Sequence, residues 1–289
     1  MTPRVVVALV TVYIVWGSTY FAIRVALESF PPFVQGGLRF LIAGGLLFVF
    51  LIARRKPLPS LREWRDGAVV GVLLLAVANG SVIFAEQYVA SSLAAIFIGA
   101  APLLAALWSG AFGSWPSRVQ WLGIAIGFAG VVALSGGAQF AAHPAGLLAL
   151  TLAVASWTFG SALSQRTLKL APGAMGFATE MLAGGAVMMA LGIASGEGAR
   201  FIASGPPTLA AVAALVYLIF AGSIAAFSAY MYLLSQVSAT IATSYAYVNP
   251  LIAVLLGVAF GGESLTTQEA VATAVIVASV ILLTRDKRA

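Results

Sequence analysis

Tyr13, Trp16, Gly17, Tyr20 and Arg24 follow one another at helical spacing near the start of the chain, which gathers aromatic and polar groups onto one helical face. Such a face can stack a small organic molecule against its rings while hydroxyls hold the polar ends. Farther along, Trp157, Ser161 and Ser164 share a face in the same way. A third group surrounds Pro250 in the string SATIATSYAYVNP, with Thr240, Ser244 and Tyr247 on one face and Tyr245 and Asn249 beside them. Proline lacks one backbone donor and obstructs a second bond, so kinks or loosened turns are expected at Pro250 and at Pro102. A carbonyl freed there can receive an ammonium or hydroxyl group. Asn79 can orient a polar solute. The plainer alternative for each residue is packing, with indoles and hydroxyls lodged between helices and bonded to backbone carbonyls.

Three ionisable residues, Arg39, Glu86 and Glu180, fall within or at the edge of apolar runs, where charge is costly and points to function. Arg39 and Glu86 are placed for pairing near one end, and Arg166 or Arg118 can answer Glu180. They read as gates or scaffold ion pairs, with proton coupling by Glu86 or Glu180 as the sharper alternative. Enzyme chemistry is not expected: His143 is the lone histidine, there is no cysteine, and no aspartate lies inside an apolar run. The same inventory implies no metal and no cofactor.

The elements that position these residues follow from composition. Of 289 residues, 61% are apolar and 8% charged, whereas a soluble domain carries about 25% charge. Charge this scarce cannot cover a soluble globule. Apolar runs fall at 5–25, 33–53, 67–86, 89–112, 118–135, 145–164, 172–194, 208–232, 238–260 and 268–284, each close to the roughly 20 residues that cross a bilayer. Lipid offers backbone amides no partner, and the ten-residue alternation of a barrel is absent, so the runs must be helices. The expected fold is an all-α integral membrane protein of ten transmembrane helices. Residues 5–23 are read as the first span rather than a cleaved leader, because the run continues into Arg24 without a small-residue cleavage site.

Counting Lys and Arg by side fixes an orientation. Arg4, Arg54, Arg55, Lys56, Arg62, Arg65, Arg118, Arg166, Lys169, Arg285, Lys287 and Arg288 fall on one side, Arg24 and Arg200 on the other. Both termini are therefore expected in the cytoplasm. The net charge of +6 reflects this asymmetry rather than a nucleic-acid partner, and the charged segment 54–66 reads as a loop touching anionic lipid.

The chain also repeats. A shift of 141 residues places Trp16 on Trp157, Arg39 on Glu180 and Gly44-Gly45 on Gly185-Ala186, and a shift of 148 places Pro102 on Pro250 and Gly113 on Gly261. Five spans per copy is an odd number, so the second copy, 138–289, enters the membrane inverted relative to the first, 1–137. Inverted repeats are the usual build of secondary transporters, with the solute site near the midplane where the repeats meet. Gly123, Gly127, Ala270, Ala274 and Ala278 form small-residue faces suited to close packing inside a monomer or to a homodimer contact.

The strings VWGSTYFAIRVALESFPPF, GGLRFLIAGGLLF and NPLIAVLLGVAFGGESL, with the two five-helix halves, resemble the EamA-domain branch of the drug/metabolite transporter superfamily over nearly the whole chain. The resemblance implies an inner-membrane exporter of amino acids or related small metabolites. It implies a central cavity with Trp16, Tyr20, Asn79, Trp157, Ser161, Tyr230, Tyr245 and Asn249 as lining candidates, and Pro102 and Pro250 as the family's paired prolines. The expected mechanism is alternating access, one half rocking against the other. A passive channel for small polar solutes and a non-transporting scaffold or sensor remain as alternatives. No ATP-binding loop is present in the sequence.

Overall fold

The computed structural model describes residues 2–111, 113, 115–237, 241 and 244–285, without the side chains of 109, 234, 247 and 283–285. Thr240, Lys287 and Arg288 thus lie outside the described residues, as do the side chains of Tyr247 and Arg285.

The chain is helical throughout: α1 (Pro3–Leu27), α2 (Pro32–Ala53), α3 (Leu61–Ala85), α4 (Ser91–Ile98), α5 (Ala101–Ala111), α6 (Arg118–Ser135), the short α7 (Ala138–Ala142), α8 (Pro144–Arg166), α9 (Ala174–Ala194), the short α10 (Glu197–Ala203), α11 (209–236), α12 (Tyr245–Phe260) and α13 (Thr267–Arg285). Local chemistry explains where they start. Proline opens α1, α2 and α8, where its missing N–H costs nothing. Ser60 with Glu63 and Ser117 with Gln120 form reciprocal capping boxes on α3 and α6, which satisfy amides that no helical carbonyl can reach.

Among the described residues, eight helices are long and apolar enough to cross a membrane, with α4 and α5 joined as one of them. Two shorter apolar helices, Val248–Phe260 and Thr267–Leu282, follow. The chain is an all-helical, multi-pass membrane protein.

Buried side chains form two large apolar bodies, and these cut across the sequence halves. One joins α1, α2 and the first part of α3 to α9 and α11. The other joins the end of α3, α4, α5 and α6 to α8 and α13. Each body therefore contains helices of both sequence halves. Crossings are closest where glycine lets backbones meet. A Cβ on Gly37 would lie 2.9 Å from the amide nitrogen of Met189, and one on Gly185 would lie 2.8 Å from that of Leu41, which holds α2 against α9. Gly127 lies against Leu103 and Ser279, holding α6 against α5 and α13. Of the two uses expected for Ala270, Ala274 and Ala278, packing inside the monomer is not seen: they are exposed, and α13 packs through Ala272, Thr273, Ile276, Ser279 and Val280.

Of the two kinks expected at the prolines, the one at Pro102 is present and the one at Pro250 is not. The backbone breaks at Gly99 and Ala100, before Pro102, while α12 runs unbroken through Pro250. Pro250 instead lies against Gly99, where an added Cβ would come within 2.9 Å of its Cγ. Further loosened backbone lies elsewhere. Val72–Asn79 in α3 and Leu218–Ala225 in α11 are π-helical, and π-turns shift carbonyls out of the regular ladder, often at functional sites.

Candidate functional site

Each π segment is held by a helix from the opposite half of the sequence. Trp16 of α1 donates its indole Nε1–H to the carbonyl of Gly222 at 3.2 Å. Ser156 of α8 donates its hydroxyl to the carbonyl of Leu73 at 2.7 Å, and Asn79 donates its amide to the carbonyl of Leu74 at 2.9 Å. Three carbonyls inside apolar surroundings thus gain side-chain donors, which avoids the cost of burying them unpaired.

Around Trp16 the rings form a wall. Its centroid lies 4.8 Å from that of Tyr245, 5.2 Å from Tyr230 and 5.1 Å from Phe227, with Tyr230 and Tyr245 5.6 Å apart. The contacts with Tyr245 and Phe227 are edge-on, the arrangement that ring quadrupoles favour. Hydroxyls edge the wall: Tyr13 bonds to Ser244 at 2.5 Å and Ser18 to Tyr217 at 2.7 Å. The Asn249 amide nitrogen faces the carbonyls of Tyr245 at 3.2 Å and Tyr13 at 3.3 Å. Gly17 allows α12 this close, since a Cβ there would lie 2.7 Å from Cβ of Ile252.

The charged groups stand toward the end of the bundle that carries the loops after α1, α3 and α12. Arg39 is 3% exposed and donates Nε–H to Ser223 at 2.9 Å, next to the carbonyl that Trp16 holds. Glu86, one residue beyond α3, is 2% exposed, and neither carboxylate oxygen has a hydrogen-bond partner among the described residues. Arg24 turns instead to the carbonyls of Glu86 and Val89 at 3.4 and 3.3 Å. Glu263, in the loop after α12, accepts from the amide and hydroxyl of Ser91 at 2.9 and 2.8 Å and from the amide of Ser92 at 3.1 Å. Burial raises its carboxyl, but these bonds from Ser92 and Ser91 outweigh it and hold the group below its ordinary value of 4.5. Glu197 caps α2 similarly, accepting from the amides of Phe33 and Val34.

The EamA-like transporter family matches residues 3–136 and again residues 144–285. The chain belongs to the EamA-like transporter family. It is 45% identical over 281 residues to "Uncharacterized inner membrane transporter YedA" of Escherichia coli strain K12, covering 97% of this chain and 90% of that protein. It is 24% identical over 283 residues to "WAT1-related protein At3g02690, chloroplastic" of Arabidopsis thaliana, covering 95% of this chain and 68% of that protein. A protein of known crystal structure shares the fold with a TM-score of 0.70 at 23% identity, and the match covers 99% of both chains.

In this EamA-like chain the residues singled out by spacing gather unevenly. Trp16, Tyr230, Tyr245, Ser244 and Asn249 form one continuous wall. Tyr20 faces the Glu86 end, Trp157 packs against the body containing α1, and Ser161 is half-buried on α8. Asn79 spends its amide nitrogen on its own helix. The expected Arg39–Glu86 ion pair is not formed in this conformation, because Arg39 is engaged by Ser223. Glu180 is buried on α9, 4% exposed. Asp66 forms ion pairs with Arg62 and Arg65. Spacing overlooked Ser156, Ser223 and Tyr217. Ser223 did carry a signal, as a lone hydroxyl beside glycine in the apolar run LIFAGSIAAF.

Proposed function

We propose that this EamA-like transporter is an inner-membrane exporter of small metabolites of the amino-acid kind, working by alternating access through a central cavity between two inverted five-helix repeats, 1–137 and 138–289. The observation that carries the reading is the exchange of supports between the π segments, Trp16 to Gly222 and Ser156 to Leu73. Shifting the sequence by 146 residues superposes Val72–Asn79 on Leu218–Ala225, and the two supporting helices are likewise mates in the proposed repeat. Such reciprocity is the packing expected of a pseudo-two-fold axis in the membrane plane.

The ring wall of Trp16, Tyr230 and Tyr245 suits an apolar side chain, while Tyr20, Ser161, Ser244 and Asn249 supply polar groups for an ammonium and a carboxylate. Asn79 and Trp157 complete the lining, and Pro102 and Pro250 mark where the helices of the cavity meet. Arg39, Glu86 and Glu180 act as gate groups. The two apolar bodies, each drawn from both repeats, are the units that rock. With the basic end inside, both termini are cytoplasmic and the Glu86–Glu263 end faces outward. The ten spans are the eight long helices and the two shorter ones, α12 and α13.

Purified protein in liposomes tests this directly. Radiolabelled amino acids should enter protein-containing vesicles with saturable kinetics and show countertransport, with empty vesicles silent. Linear, non-saturating entry would identify a channel, and no flux across a broad metabolite panel would overturn the carrier reading.

A further inference from the structure

Three buried polar groups near the Glu86 end lack partners for some of their atoms: Glu86 at both carboxylate oxygens, Arg39 at one terminal nitrogen and Gln35 at its amide oxygen. Gln35 and Arg39 are one turn apart on α2, and Gln35 donates to the carbonyl of Ile23 at 3.3 Å. The groups facing Glu86 are Tyr20 and Arg24 from α1, Arg39 from α2 and Glu263 from the loop after α12. His143, at the start of α8, lies against the ring of Tyr88 instead. No cation grips the carboxylate. An ionised, unpaired carboxylate buried this deeply costs several kcal/mol, which binding one proton removes.

We propose that the Glu86 carboxyl is a proton-exchange site that decides where Arg39 is held. With the proton bound, Arg39 stays on Ser223, as here. When the proton leaves, the carboxylate becomes a full negative charge inside a low-dielectric region, and Arg39, which keeps one terminal nitrogen unpartnered, is the cation acting on it that is not already spent on backbone carbonyls. Burial, and behind it the Glu263 carboxylate, push the Glu86 carboxyl well above the usual carboxylate range, against the pull of Arg24 and Arg39. A cavity of about 280 Å³ lined in part by Arg24, Gln87, Gln139 and Glu263 lies at the same end, next to Glu86 in the chain.

The consequence reaches the ring wall. The Arg39 guanidinium lies on Gly222, where an added Cβ would come within 3.3 Å of Nη2, and the carbonyl of that residue holds Trp16. Transfer of Arg39 from Ser223 to Glu86 uncovers the π segment, so one proton links the outer end to the wall. The idea deepens the carrier reading and rests on it for its purpose, since a proton bound at one side and released at the other can drive export.

Infrared titration of the purified full chain in lipid nanodiscs, with no solute added, tests it. The wild type should show protonated-carboxyl absorption that fades as pH rises, with one component of it missing from Glu86→Gln and retained in Glu180→Gln. Arg39→Gln should raise the midpoint by about one pH unit, a tenfold tighter proton, and Ser223→Ala should lower it. These two variants leave Glu86 in place, so they report even if Glu86→Gln fails to fold. Unchanged absorption in Glu86→Gln, or a midpoint indifferent to Arg39 and Ser223, would overturn the proposal. Because no flux is measured, such a failure is distinct from a failure of the carrier reading in liposomes.

Discussion

The indole of Trp16 donates to the carbonyl of Gly222, 206 residues along the chain. The bond ties α1 to the one stretch of α11 whose backbone is wound as a π-helix. Trp16→Phe keeps a ring against Phe227, Tyr230 and Tyr245 but removes the donor, leaving the carbonyl unpaired at a cost of about 1–3 kcal/mol. Trp16→Ala also removes the buried ring and should cost about 3–5 kcal/mol. Thermal unfolding in detergent should rank wild type above Trp16→Phe above Trp16→Ala. A Phe variant as stable as wild type would show that the bond contributes nothing.

Ser156→Ala is the matching experiment on the other π segment. It should cost about 1 kcal/mol, because the carbonyl of Leu73 loses its donor while little apolar contact changes. Ser161→Ala, half-buried on the same helix and with no side-chain hydrogen bond among the described residues, should be near neutral. Hydrogen exchange is the more local measurement: amides in Val72–Asn79 should exchange faster in Ser156→Ala and not in Ser161→Ala.

The helical, membrane-crossing character was legible because scarcity of charge and length of apolar run are properties of single segments. Residues on one face of one helix were legible for the same reason, as Trp16 with Tyr13 shows. What α8 does to α3 was not. Nothing between Val72 and Asn79 breaks a helix by composition, and of the two donors that meet its carbonyls, Asn79 is local while Ser156 arrives only through tertiary packing. Likewise, Arg39 and Glu86 were close enough in the pattern to be paired, yet a neutral hydroxyl on α11 captures the arginine. Of the prolines, Pro102 follows the break that its type predicts, whereas Pro250 lies inside an unbroken α12 with its ring seated against Gly99.

The Glu263 carboxylate gives a pH signature. Its bonds to Ser91 and Ser92 hold it below 4.5, so its stabilisation is present above that value and is lost as pH falls through the lower folded value. Melting temperature should therefore decline on acidification below about pH 4.5, and Glu263→Gln should lack this component while melting lower than wild type at neutral pH. An unchanged acid limb in Glu263→Gln would assign the decline to other carboxyls.

Neighbouring glycines on α2 and their counterpart on α9 separate close approach from helix propensity. A Cβ on Gly44 would lie 2.8 Å from Cβ of Met181 and 3.0 Å from the amide nitrogen of Leu182, whereas one on Gly45 meets nothing within 4 Å. Gly185 is as tight as Gly44, 2.8 Å from the amide nitrogen of Leu41. Backbone cannot rotate aside as a long side chain can, so Gly44→Ala and Gly185→Ala must push α2 and α9 apart, with an overpacking cost of about 1–3 kcal/mol. Gly45→Ala meets no such obstacle and gains the helix preference of alanine, up to about 1 kcal/mol. Thermal melts should move in opposite directions for adjacent positions 44 and 45. If α2 and α9 belong to one rigid body, as their shared apolar cluster implies, Gly45→Ala should also leave liposome flux unchanged. Reduced stability in all three variants would mean that the α2–α9 seam is not the close contact described.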